Sequence, residues 1–179
     1  MIVCLSIDHH GKPHKLDDRG AVGHALCETD YTSRYAWVCE RELRKSGAKV
    51  MVISSGHYKD RWALADSVGA DCYISLHMNA GGGDRGEVFF DYRTSPDNGI
   101  ALAKRIQQSL DDRVPWYVEV KPACESDRAY RCIEGLKTVG IVYEPAFIDS
   151  PRGPLMDHRS SMGKALADGI GVWAWRRRP

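Results

Sequence analysis

Short apolar runs alternate with amphipathic helical segments along almost the whole chain, and this alternation restricts the fold more than any other feature. Residues 1–7 read as a fully buried strand. Residues 28–46 read as a helix with Tyr31, Tyr35, Val38, Cys39 and Leu43 on one face, and Gly47 stops it. A strand over 48–54 leads to a second helix over 58–70, with Trp62, Ala65 and Val68 turned inward, and then to a strand over 71–77. A fourth strand is expected over 86–92. A helix follows with Ser95 as N-cap and Pro96 at its first position. Residues 116–120 suit a short strand, whereas 122–138 carry no clean period. A late strand ends at Glu144, and a last helix buries Leu166, Ile170 and Trp173. Such an order predicts an α/β fold, a mostly parallel twisted sheet with helices on both faces. Without a repeat or linker, residues 1–179 are expected to form a single domain.

In sheets of this kind ligands gather outside the carboxyl ends of the strands. The polar residues at those ends form a short set. The first strand runs into Asp8, His9 and His10 before Gly11, and the third into His77 and Asn79 ahead of the glycines 81–83. The late strand delivers Glu144, followed by Pro145, and the first long helix opens on Glu28. Imidazoles and carboxylates therefore converge on one sheet edge. Catalytic zinc takes three such ligands and keeps a position open for water. His10, Glu28 and His77 would make that set, with Glu144 left to act on the water. A polar edge without metal is the alternative, because these dispersed residues are far less specific than a compact motif.

Charge and cysteine content narrow the function classes. Lys+Arg 25 against Asp+Glu 24 leaves a net charge of +1, so no basic field points to nucleic acid as a partner. The basic end of the chain, from Trp175 to Pro179, reads as a solvated tail. No run approaches the roughly 18 apolar residues needed to span a bilayer, so membrane insertion is not expected. The first residues reach an aspartate without the pattern of a secretory leader, which predicts synthesis in the cytoplasm. Six cysteines contain no CxxC pair, and reduced thiols are expected, with Cys124–Cys132 the one bridge considered.

The stretches "SIDHHGK", "DDRGAVG", "DRWALADSVGADCYISLHMNAGGGDRGEVFF" and "GIVYEPAFIDSP" carry a resemblance. From Ile2 to about Trp173 the chain resembles the zinc-dependent N-acetylmuramoyl-L-alanine amidases of the amidase-3 type, found among bacterial wall hydrolases and phage endolysins. The resemblance implies zinc held by His10, Glu28 and His77, and Glu144 as the catalytic acid/base. The segment "DHH" is one residue shorter than the family's pattern, which leaves His9 as a rival. His10 is preferred because a glycine follows it. Asp8 is expected to orient a liganding imidazole. Asn79 is expected to pin the glycine loop. His14, His24 and His158 are expected at the surface or rim, and His57 in a turn.

The implied reaction is hydrolysis of the amide between the lactyl group of N-acetylmuramic acid and L-alanine in peptidoglycan. The chain is expected to act as a phage-type lysin released by host membrane failure, or as a bacterial wall hydrolase exported by another route, as a monomer without a separate wall-binding domain. Two other readings stay open: a zinc peptidase or deacetylase using the same site, and a wall-binding module that keeps the fold without catalysis.

Overall fold

The computed structural model describes residues 1–9, 18–124 and 129–177. The preferred ligand His10, together with His14, lies outside the described residues. The chain runs β1 (Ile2–Ile7), β2 (Val22–Gly23), β3 (Leu26–Cys27), α1 (Glu28–Lys45), β4 (Lys49–Ile53), α2 (Tyr58–Ser67) and β5 (Cys72–Leu76). It continues through β6 (Gly86–Phe90), α3 (Pro96–Asp111), β7 (Val118–Pro122), a 3-10 helix (Ala129–Cys132), β8 (Val139–Glu144), a 3-10 turn (Met156–His158) and α4 (Arg159–Trp175).

Six strands form one sheet in the order β4-β1-β5-β8-β6-β7, and β2 pairs with β3 in a separate two-stranded ribbon. The first four strands of that order are mutually parallel. β6 runs antiparallel to β8, and β7 is parallel to β6. The α/β class with a mostly parallel sheet therefore holds, with one reversal.

Alternation along the strands divides the core in two, as a period of two requires. Val3, Leu5, Ile74, Leu76, Ile141 and Tyr143 face the larger layer, where Tyr31, Tyr35, Leu102, Ile106, Leu166 and Ile170 bring in α1, α3 and α4. Cys4, Tyr73 and Val142 face the other layer, filled by Trp62 and Ala65 of α2 with Tyr130, Ile133 and Leu136. Val68, expected inward, is the C-cap of α2 and only partly buried. The segment 122–138, unreadable as a periodic element, supplies this second layer through its apolar residues.

The elements that place the site start and stop for local reasons. α1 begins at Glu28 because the Asp30 carboxylate accepts the Cys27 N–H at 2.9 Å. Its first turn is acidic and its last carries Arg44 and Lys45, which complements the helix dipole. Because β1, β5 and β8 are adjacent and parallel, the residues ending them emerge side by side. β6 runs the other way, so its first residues, Gly86 and Glu87, reach that same edge, where Glu87 pairs with Glu144.

Candidate active site

A cavity of about 620 Å³ opens at this edge, lined by Asp8, His9, Glu28, Arg61, His77, Asn79, Glu87, Cys132 and Glu144 among others. His77 is its hub. Nδ1 of His77 faces Glu28 Oε1 at 2.9 Å, and Nε2 faces Asp8 Oδ2 at 3.1 Å and Ser75 Oγ at 3.1 Å. The Tyr35 hydroxyl donates to the His77 carbonyl at 2.8 Å, which fixes the backbone beneath the ring. His9 stands edge-on to His77 with ring centroids 5.3 Å apart. Its Nε2 lies 3.5 Å from Glu28 Oε2, while Nδ1 faces Asp18 at 3.2 Å.

Glu28 is held on both oxygens. Oε1 accepts the Met78 N–H at 3.0 Å, and Oε2 accepts the Ala21 N–H at 3.0 Å. Gly20 makes this close approach practicable. It takes a left-handed φ of 77°, and a Cβ there would run into the Glu28 side chain. Burial pushes the Glu28 carboxyl up, but the hydrogen bond and charge of His77, with His9 and the Ala21 N–H, hold it below its usual range. Asp8 is shifted the same way. Burial works against its charge, and the bond and charge of His77 with the Ser6 and Ser75 hydroxyls outweigh burial.

Glu144 differs. Among the described residues nothing hydrogen-bonds its carboxylate, and burial, opposed by His77 and reinforced by Glu28 and Glu87, pushes it up to about 7. Its neighbour Glu87 is saturated instead, by Asn79 Nδ2 at 2.5 Å, Arg85 at 2.7 Å and Lys121 at 2.6 Å.

Among the described residues, two groups of potential metal ligands have their atoms within 4.8 Å of one another: His9, Glu28 and His77, and Asp8, His77 and Cys132. The donor chemistry separates them. Asp8 already accepts from Ser6, Ser75 at 2.5 Å and His77, and ion-pairs with the buried Arg61 at 3.5 Å. Burial keeps the Cys132 thiol protonated by raising its pKa, despite His77 at 3.5 Å. The first group offers two imidazole nitrogens and a carboxylate on the open side of the hub, the composition that suits a catalytic zinc site. An Asp8 that accepts the Nε2 proton leaves Nδ1 of His77 for a metal.

The family model for N-acetylmuramoyl-L-alanine amidase matches residues 9–171. The chain belongs to that family. The amidase family acts on peptidoglycan, and the α/β fold with its mostly parallel six-stranded sheet flanked by helices matches amidase catalytic domains. A similar solved structure is that of N-acetylmuramoyl-L-alanine amidase AmiC2 of Nostoc punctiforme, at 20% identity and TM-score 0.79, covering 98% of each chain. An N-acetylmuramoyl-L-alanine amidase of Clostridium difficile 630 aligns at 18% identity and TM-score 0.84, over 99% of this chain and 98% of that one. The catalytic domain of the CD27L endolysin aligns at 21% and TM-score 0.76, over 96% and 97%. Among curated proteins, YqiI of Bacillus subtilis (strain 168) is 31% identical over 103 residues, 54% of this chain. That match spans half the length of YqiI.

Within this amidase fold the other singled-out residues fall away from the hub. His57 caps α2, accepting the Lys59 N–H at 3.4 Å. His24 bonds the Ser150 carbonyl at 2.9 Å, and His158 is half-buried against Trp116 rather than at the open surface. Asn79 ties the glycine loop to β8's extension through its backbone bonds to Ala146 and Ile148, and also holds Glu87. None of the six cysteines is in a disulfide, so Cys124 and Cys132 are not bridged. Sequence position did not place Arg61, Glu87, Arg131 or Cys132 in the cavity. Arg61 of α2 reaches the Ile7 carbonyl at 2.7 Å and Ser6 at 3.0 Å, and thus braces the end of β1. An arginine on the buried face of a helix was the available signal. Glu87 needed the reversal of β6, and Cys132 lay in the aperiodic segment.

Proposed function

We propose that this chain hydrolyses the amide between N-acetylmuramic acid and L-alanine in peptidoglycan, with zinc held by His9, Glu28 and His77 and with Glu144 as the acid/base. The observation that carries the reading is the pairing, in one cavity, of a hydrogen-bonded carboxylate beside two imidazoles with an unbonded carboxylate that titrates near neutrality. His9 takes the place beside Glu28 by its 3.5 Å approach, with His10 as the alternative.

The chemistry a bound zinc ion supplies is Lewis acidity toward the scissile carbonyl and the attacking water. Glu144 takes the proton of that water. A carboxyl near 7 is basic enough to accept it and acidic enough to return it to the departing alanine nitrogen. His77 stays in register because Asp8 holds its Nε2 and Tyr35 its carbonyl. Glu28 stays ionised through the hydrogen bond and charge of His77, helped by His9 and the Ala21 N–H. Cys132 does not attack, because its buried thiol resists ionisation.

Wall digestion followed by mass spectrometry of the fragments tests the reading. New alanine amino termini with intact glycan are expected. Cleavage only within the peptide, or only of acetyl groups, would favour another zinc amidohydrolase. Full activity in protein verified to be metal-free would remove the zinc.

The enzyme's place of action follows from its family: the cell wall. Among the described residues no helix is long and apolar enough to cross a membrane. We take release by host membrane failure and action as a monomer as parts of the same proposal.

A further inference from the structure

The cavity is bordered by four carboxylates, Asp8, Glu28, Glu87 and Glu144, and by two arginines. The arginines differ. Arg61 is 1% exposed, and its guanidinium is committed to the Ile7 and Gly56 carbonyls at 2.7 and 2.9 Å. Arg131 is exposed at the cavity wall and has no hydrogen bond or ion pair with the described residues. Nearby basic groups are already neutralised, since Lys121 sits 2.6 Å from both Glu87 and Glu119.

The backbone under Arg131 is anchored. Ala129 and Tyr130, the first two residues of the 3-10 helix, are buried, and the Cys132 carbonyl accepts the Trp62 indole N–H at 2.6 Å. Cys132 itself lies 3.5 Å from the His77 ring. A fixed turn therefore presents a guanidinium, unpaired among the described residues, next in sequence to the cysteine that touches the hub of the site. A planar guanidinium at the cleft wall that none of the cleft's described acids engages suits a carboxylate brought by the ligand.

We propose that Arg131 forms an anion subsite that binds a free carboxylate on the stem peptide, on the alanine side of the scissile bond. This rests on the amidase reading. The glycan next to that bond offers hydroxyl and acetamido groups, which are uncharged. The peptide offers carboxylates, the nearest being the α-carboxylate of the glutamate that follows alanine, which is lost when that group is amidated. Arg131 is thus a specificity determinant that distinguishes free from amidated stems.

The test uses zinc-loaded protein and two muramyl-peptides that differ only in whether the residue after alanine bears a carboxylate or its amide. Wild type should favour the carboxylate by about 5–20-fold in kcat/KM, the range for a charge-assisted bond discounted for exposure. Arg131→Ala should bring the carboxylate substrate down toward the amide, mainly through KM, and Arg131→Lys should restore part of the preference. Cleavage of both substrates by wild type without discrimination overturns the subsite and leaves the amidase reading standing. So does an equal fall on both substrates in Arg131→Ala. Cleavage of neither by wild type overturns the amidase reading and this assignment with it.

Discussion

Glu28 and Glu144 share one cavity and one burden, burial, yet they titrate in opposite directions. Glu28 opens α1 and receives backbone N–H groups on both oxygens, with His77 against one of them. Glu144 ends β8 with no hydrogen bond among the described residues, and its cross-strand neighbour is another carboxylate. The difference shows that the protein does not tune acidity by depth. It tunes it by which hydrogen-bond donors and charges meet each carboxylate, His77 foremost for Glu28. A carboxylate fixed in its charged form is suited to hold a cation, and one poised near neutrality is suited to pass protons.

The sharpest way to break this comparison is the same substitution at both places. Glu28→Gln should lose metal and activity together, with metal affinity reduced by more than ~100-fold and turnover at the background rate, because it removes a ligand charge. Glu144→Gln should keep about one zinc per chain and lose ~10²–10⁴-fold in turnover. Metal analysis and turnover of a muramyl-peptide on both variants decide it. Loss of zinc from Glu144→Gln would make that residue a ligand and erase the distinction.

The pH profile sharpens it next. The charged form of Glu144 is the base, so activity should fall as pH drops through its pKa. That value is about 7 without metal and lower with a cation nearby, so the acid limb should lie at or below about 7. Glu28, held below the usual range, should contribute no limb there. An acid limb unchanged in the residual activity of Glu144→Gln would assign the titration elsewhere.

Much of this was legible in the sequence because strand ends are easy to locate. His77 and Glu144 follow continuous apolar runs, and Glu28 opens a long helical period, so the order of elements alone brings them to one edge. The periodicity of β6 is as clear as that of β5, but a pattern of side chains does not encode strand direction. The reversal that carries Glu87 to Glu144 was therefore invisible. Cys132 and Arg131 sit on a four-residue 3-10 helix, too short to show a period. The ribbon strands β2 and β3 have two residues each, below any detectable alternation. The preference for His10 over His9 rests on a neighbouring glycine, and of the two only His9 lies among the described residues.

A smaller effect is expected one step back from the metal. Asp8 orients His77 through Nε2, and is itself fixed by Ser6, Ser75 and Arg61. Asp8→Asn should therefore weaken zinc binding by about 10–100-fold without abolishing it. Competition with a chelator of known affinity measures the change. Undiminished affinity would show that Asp8 does not set the orientation of the His77 ring.

The smallest effect concerns stability, and its sign is opposite for the two carboxylates. Between pH 4.5 and about 7 a folded Glu144 holds a proton that the unfolded chain has released. Stability then falls as pH rises through that window, and the full penalty persists above it. At about 1.36 kcal/mol per pH unit, the gap from 4.5 to about 7 sets an upper bound of about 3 kcal/mol. Water reaching the cavity relieves part of it, so about 1–2 kcal/mol is the expected gain when Glu144→Gln removes the charge. Glu28 runs the other way. Its folded pKa is lowered, so its charge stabilises the fold above the unfolded value, and that contribution is lost as pH falls through the folded one. Urea unfolding of metal-free wild type, Glu144→Gln and Glu28→Gln at pH 8 and pH 5 reads both signs. Glu144→Gln should be more stable than wild type at pH 8 and close to it at pH 5, and Glu28→Gln less stable at pH 8. A Glu144→Gln protein no more stable at pH 8 than wild type would mean that the carboxylate is solvated in the folded state, and the contrast between the two residues would collapse to one of position alone.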